Sequence, residues 1–297
     1  MFDKCVLCPR YCKVNRDKGE FGYCKCGNKM IIARYSLHKW EEPCLSGDIG
    51  SGTIFFSGCN MKCVYCQNYE ISVLRYGRSV SVGEFCYMCL DLQNNGAKNI
   101  NLVTGVMYIP LIVQGIKLAR EKGLRIPIVY NSSGYESIEG LKLLEGIVDI
   151  YLPDFKYFDD KLGLKYSNVR DYNKYAIMAI KEMYRQVGRN KFDKDGIMIR
   201  GVIVRHLILP GCGDDSKKVI KYLYNNYKDN IYLSIMNQYT PVRKINIDEL
   251  DRKIDNDEYD EIINYAYDLG VRCAYIQEEG TQSKSFIPNF EEFRAIE

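Results

Sequence analysis

From residue 50 onward the chain alternates short apolar runs with longer amphipathic ones. The short runs are GTIFFSG (52–58), NINLVTG (99–105), IPIVYNSSG (126–134), DIYLPD (149–154), GVIVRHLILPG (201–211) and IYLSIMNQY (231–239). They are rich in Val, Ile and Tyr and most end on turn-forming residues, which predicts strands. Between them, VGEFCYMCLDLQNNG (82–96), IPLIVQGIKLAREKG (109–123), IEGLKLLEG (138–146), YAIMAIKEMYRQVG (175–188) and SKKVIKYLYNNYKDN (216–230) space their apolar residues as helix faces do. Strands alternating with helices of this length imply βαβ units around a parallel sheet. The expected fold is therefore α/β, a full or partial (β/α) barrel, with an open doubly wound sheet as the alternative.

In such a barrel the functional groups stand just beyond the C-terminal ends of the strands. Here those ends read SGCNMKC, TGVMY, NSSGYE, PDFKY, PGCGDD and NQYTP. The acidic stretch DELDRKIDNDEYDEI (248–262) also carries Leu250, Ile254 and Ile262 near helical spacing. It reads as a solvated helix face. Residues 1 to about 45 break the pattern: six cysteines lie among Gly, Lys and Arg with little periodicity. Residues 1–48 are thus expected to form a small metal-ordered module, and 49–297 the barrel domain with a C-terminal extension.

Composition narrows the class. The chain has 297 residues, 46% hydrophobic and 27% charged, as a globular protein with a sizeable core has. A formal charge of +3 gives no argument for a nucleic acid or a membrane as partner. The most apolar stretch, NLVTGVMYIPLIV, is interrupted by Gly105 and Pro110 and falls short of the ~20 residues of a membrane span. MFDKCVLCPRYCK contains no apolar stretch, so no secretory signal is expected and the location expected is cytoplasmic. Thirteen cysteines, nine of them in the first 66 residues, then point to thiolate ligands or redox chemistry rather than disulfides.

Cys59, Cys63 and Cys66 follow directly on a strand, spaced C-x3-C-x2-C. Three thiolates are one too few for a structural zinc. A cubane [4Fe–4S] cluster takes four ligands, so three cysteines leave one iron open. A zinc knuckle completed by a distant residue is the other reading, although the chain offers only two histidines, His38 and His206.

The C-x3-C-x2-C spacing, with Tyr65 just before the last cysteine, resembles the motif of the radical S-adenosylmethionine (SAM) enzymes. LHKWEEPCLSG (37–47), GSGTIFFSGCN (50–60) and RHLILPG resemble the branch described as pyruvate formate-lyase activating enzyme-like. The resemblance implies that Cys59, Cys63 and Cys66 hold the cluster and that its open iron binds SAM, with Tyr65 beside the adenine. It sets Thr104 and Gly105 where the activating enzymes receive the SAM amino group with a Gly-Gly-Glu segment, one glycine and the carboxylate being absent here. It sets Asn131, Ser132 and Asp154 near a SAM-side polar or cation site, with Asn131 in place of a second carboxylate. Lys156, Arg205 and His206 stand at strand ends where they could face an anionic substrate or the SAM carboxylate. Strand residues alternate sides, so Arg205 and His206 do not both point inward. The catalytic candidates are Arg205, His206 and Cys212, the last in a loop at the barrel mouth.

Cys5-x2-Cys8-x3-Cys12 with Cys24 supplies a second set of four thiolates, for which Cys26 or Cys44 could substitute. Zinc and a second [4Fe–4S] cluster both accept such a set. Cys86 and Cys89 read as helix core, and Cys273 as a buried strand residue. The reaction implied is reductive cleavage of SAM to a 5′-deoxyadenosyl radical for hydrogen abstraction, with flavodoxin or ferredoxin as electron donor. The target is a backbone glycine of a partner glycyl radical enzyme, or else a small molecule or peptide. A non-catalytic iron–sulfur or zinc protein is the reading from a different class.

Overall fold

The computed structural model describes residues 2–277, 288 and 290–295. Among these residues the strands are β1 (Met30–His38), β2 (Ser51–Phe56), β3 (Arg78–Val80), β4 (Ile100–Val103), β5 (Ile128–Ser132), β6 (Ile150–Pro153), β7 (Lys191–Phe192), β8 (Met198–Leu207), β9 (Tyr232–Met236), β10 (Ala274–Ile276) and β11 (Arg294–Ala295). Their order is β10-β9-β8-β6-β5-β4-β2-β1-β11. From β2 to β10 every neighbouring pair is parallel. β1 runs antiparallel to β2 and also carries β3, while β7 hangs on β8. Among the described residues the path keeps two free ends, so the sheet is mixed and open and the full barrel is not formed by them.

The helices are α1 (Pro43–Ser46), α2 (Tyr69–Ser72), α3 (Val82–Asn94), α4 (Ile109–Glu121), α5 (Ile138–Lys142), α6 (Asp160–Ser167), α7 (Tyr172–Val187), α8 (Gly213–Tyr227) and α9 (Asn256–Leu269). β2, β4, β5 and β6 are buried at every position, as parallel strands covered on both faces must be. Helix starts are set by side chains. Ser81 accepts the Glu84 N–H while the Glu84 carboxylate accepts the Ser81 N–H, a reciprocal capping box at the head of α3. Cys86 and Cys89 face the core from α3, as expected of them. Asp255 caps α9 through the Glu258 N–H.

Three expectations shift. The acidic stretch does not form one helix: a 3-10 turn spans Asp248–Leu250, α9 starts only at Asn256, and Leu250, Ile254 and Ile262 are buried. IEGLKLLEG contributes only the five residues of α5. β1 rises from a stretch with no clear period, because its burial is irregular along its length. No helix among the described residues is long and apolar enough to cross a membrane.

Candidate active site

β2 delivers the chain into the three-cysteine loop. Gly58 has φ of +91°, and a Cβ there would lie 2.3 Å from the Cys26 sulfur, so the turn requires glycine. The loop is docked on the end of α6: the Lys62 and Val64 N–H groups donate to the Ser167 and Tyr166 carbonyls. Each thiol has a polar neighbour. The Met61 N–H donates to Cys59 Sγ at 3.4 Å, the Ser167 hydroxyl donates to Cys63 Sγ at 2.9 Å, and Ser72 Oγ lies 3.2 Å from Cys66 Sγ. Burial pushes the Cys59 and Cys63 thiols up. A metal ion or a nearby cation is needed to hold them as thiolates.

All three cysteines line one cavity of about 350 Å³, within the size range of cofactor and ligand sites. Tyr65 forms part of its wall. Its hydroxyl meets the Tyr157 hydroxyl at 2.5 Å, and its ring packs edge-on against Tyr239. The Tyr157 hydroxyl in turn meets Ser167 Oγ at 2.7 Å, so a buried hydroxyl chain connects Tyr65 to Cys63.

The same cavity carries a charged network from the ends of β5, β6 and β8. The Lys156 ammonium donates to Asp154 Oδ2 at 2.6 Å. Arg205 donates from Nε to Asp154 Oδ1 at 3.1 Å and from Nη2 to Asn131 Oδ1 at 2.6 Å. Its Nη1 stands 3.6 Å from Glu41, whose other oxygen accepts from Asn101. Burial opposes the Asp154 charge, yet the two cations keep its carboxyl below the usual range. Burial likewise opposes the Lys156 charge, and Asp154 more than compensates. Burial raises the Glu41 and Glu42 carboxyls, despite Arg205. Burial also lowers His38, on the cavity wall, to about 4.

Thr104 lies on the cavity wall with φ of +59°, rare for a β-branched residue. Its N–H donates to the Asn131 carbonyl, which ties the ends of β4 and β5. Gly105 is not on the wall; a Cβ there would lie 2.6 Å from Ile112, so it serves packing. Asn131, Ser132, Asp154, Lys156 and Arg205 all reach the cavity. His206 does not: it is buried on the other side of β8, with Nδ1 2.6 Å from the Phe155 carbonyl. Cys212, at the head of α8, also lies off the cavity wall. Cys273 is half-buried, just ahead of β10. Three site residues are absent from the sequence's candidates: Tyr157 lies within the strand-end segment PDFKY, Glu41 in the WEEPC segment between two strands, and Ser167 has no local signal.

In the N-terminal segment, Cys5, Cys8, Cys12 and Cys24 line a common small cavity. Cys26 turns away towards the Cys24 and Ser57 carbonyls, and Cys44 is packed with Leu45, Val129 and Ile150. Neither joins the four.

The model of the radical SAM superfamily matches residues 53–223. An uncharacterised protein of Methanocaldococcus jannaschii is 30% identical over 285 residues, 93% of this chain and 78% of that one. A pyruvate formate-lyase-activating enzyme of Clostridium pasteurianum is 25% identical over 211 residues, 67% of this chain and 78% of the enzyme. Among solved structures, HydG, a maturase of the [FeFe]-hydrogenase, superposes with a TM-score of 0.53 at 14% identity, covering 91% of this chain and 57% of HydG. At that identity the likeness concerns the fold alone.

Proposed function

Because the chain belongs to the radical SAM superfamily, we propose that its 350 Å³ cavity holds SAM against a [4Fe–4S] cluster on Cys59, Cys63 and Cys66, and that the hydrogen it removes comes from the backbone of a partner protein. The chain is an enzyme of the radical SAM oxidoreductase class. Held there by Cys59, Cys63 and Cys66, the cluster would supply the single electron for reductive cleavage of SAM, the source of a 5′-deoxyadenosyl radical for hydrogen abstraction.

One observation carries the reading: three thiols at cluster spacing open into the same cavity as a paired set of charges at the strand ends. The donor set fits, since soft thiolates suit iron–sulfur clusters and three of them leave one iron for a ligand. Lys156 and Arg205 are suited to a carboxylate, and Asp154 to an ammonium, the two polar groups of an amino-acid tail. Tyr65 and Tyr239, both buried and on the cavity wall, suit the flat face of an aromatic ring. The partial match to a pyruvate formate-lyase-activating enzyme supports an enzyme as the partner that is activated.

The test uses anaerobically reconstituted protein with dithionite and SAM. Wild type should form 5′-deoxyadenosine, and Cys59→Ala, Cys63→Ala and Cys66→Ala should each abolish it. An organic radical on an added, unactivated glycyl radical enzyme, seen by electron paramagnetic resonance, would support the partner. Product from the cysteine variants would overturn the site.

A further inference from the structure

The four N-terminal thiols belong to none of the chemistry above, yet they share one cavity. We propose that Cys5, Cys8, Cys12 and Cys24 ligate a second [4Fe–4S] cluster, seated against the loop that carries Cys59. This goes beyond the SAM reading and does not depend on it.

The backbone is bent to bring the thiols together. The Cys5 N–H donates to Val14 and the Lys13 N–H to Cys5, closing the segment into a tight loop. Within it Tyr11 and Lys13 adopt φ of +42° and +56°, a conformation that is unfavourable for side-chain-bearing residues unless the surroundings hold it. Gly22 lets the Cys12 sulfur approach, since a Cβ there would lie 2.8 Å from it. The Tyr23 N–H donates to the same sulfur at 3.3 Å. Few apolar side chains lie in this segment, so a bound group would supply the order that a core supplies elsewhere.

Size decides between the two groups that four thiolates accept. A single zinc at ~2.3 Å draws four sulfurs to about 3.8 Å from one another and leaves no hollow between them. Here the thiols stand around a hollow that admits a water-sized sphere. Among the described residues no three Cys, His, Asp or Glu side chains crowd about one point as they would about a single ion. The same is true of Cys59, Cys63 and Cys66, the set with cluster spacing. Arg10 and Arg16 also line the cavity, and two cations suit the net negative charge that four thiolates leave on either group. The remaining wall includes Asn60, the residue after Cys59, so the two centres would stand side by side.

Iron, sulfide and zinc are measured on the full chain after anaerobic reconstitution. Wild type should hold about eight irons, two cubanes of ~4 each. Cys5→Ser/Cys8→Ser should lose about four, and Cys26→Ala, off the cavity, should lose none. If the Cys5/Cys8 variant does not fold, the Cys59→Ala/Cys63→Ala/Cys66→Ala variant serves instead. Its N-terminal set is intact, and it should retain ~4 irons with the paramagnetic signal of a reduced cubane. One zinc per chain with only ~4 irons, or no metal dependent on Cys5 and Cys8, overturns the proposal and leaves the SAM reading intact. Iron unchanged in the Cys59, Cys63 and Cys66 variant overturns the SAM site instead.

Discussion

At the residue scale, the group closest to the chemistry that no motif announces is Ser167. Its hydroxyl donates to Cys63 Sγ at 2.9 Å. A hydrogen bond to a ligand sulfur favours the more negative, reduced state of a cluster. Ser167→Ala should therefore leave the iron content unchanged and make the potential more negative. A net hydrogen bond of ~1 kcal/mol corresponds to about 40 mV for one electron. A redox titration followed by paramagnetic resonance reads it, and an unmoved potential would remove Ser167 from this role. Glu136 gives a different prediction. It is buried behind the network with Ser132 as hydrogen-bond donor, and burial raises its carboxyl to about 8. The folded pKa thus lies above the ~4.3 of the unfolded chain. Its stability contribution is full below that value and is lost as the pH rises through about 8. Glu136→Gln removes this titration, so it should raise the melting temperature at pH 8 by several degrees and by less at pH 5. An equal offset at both pH values would mean that Glu136 does not titrate as a buried acid.

At the scale of elements, the strands that carry the site were legible because fully buried parallel strands are short, apolar and punctuated. GTIFFSG, NINLVTG and DIYLPD coincide with β2, β4 and β6 to within two residues at either end. β1 and α6 were not legible. β1 has no regular alternation, and α6 is a short helix whose importance lies in what its last residue touches across the chain. The turn leaving β2 is where element and chemistry meet. Gly58 carries both a left-handed φ and the Cys26 sulfur against its Cα. Gly123 has φ of +109° with nothing within 4 Å of its missing Cβ, so it isolates the cost of backbone strain alone. Gly58→Ala should lower the melting temperature clearly more than Gly123→Ala and should reduce iron bound at the three-cysteine loop. Equal effects of the two substitutions would show that the turn tolerates a shifted Cys26.

At the scale of the molecule, cysteine spacing disclosed two thiol sets, but not that they lie against each other. That arrangement depends on contacts between distant segments, which no local pattern encodes. Alternation correctly separated Arg205 from His206, because it is a property of one strand. The joint itself centres on Arg10. Its guanidinium lies 3.7 Å over the Tyr23 ring and 5.7 Å from that of Tyr135. Nε donates to the Asn60 carbonyl at 3.0 Å and Nη2 to the Asn168 carbonyl at 2.6 Å. One side chain thereby connects the N-terminal segment, the three-cysteine loop and the end of α6. A stacked cation contributes ~0.5–2 kcal/mol and each hydrogen bond to a charged donor ~1.5–3. Arg10→Ala should thus cost on the order of 2–4 kcal/mol in thermal or denaturant unfolding of the reconstituted protein, since such terms do not add fully. Arg10→Lys keeps the charge but has neither the planar face nor the fork, so it should recover little of the loss. Iron is measured in the same samples, to separate loss of the joint from loss of a metal centre. If Arg10→Lys restores wild-type stability, charge alone would account for the contact, and the stacked, two-carbonyl joint would not be what holds the segments together.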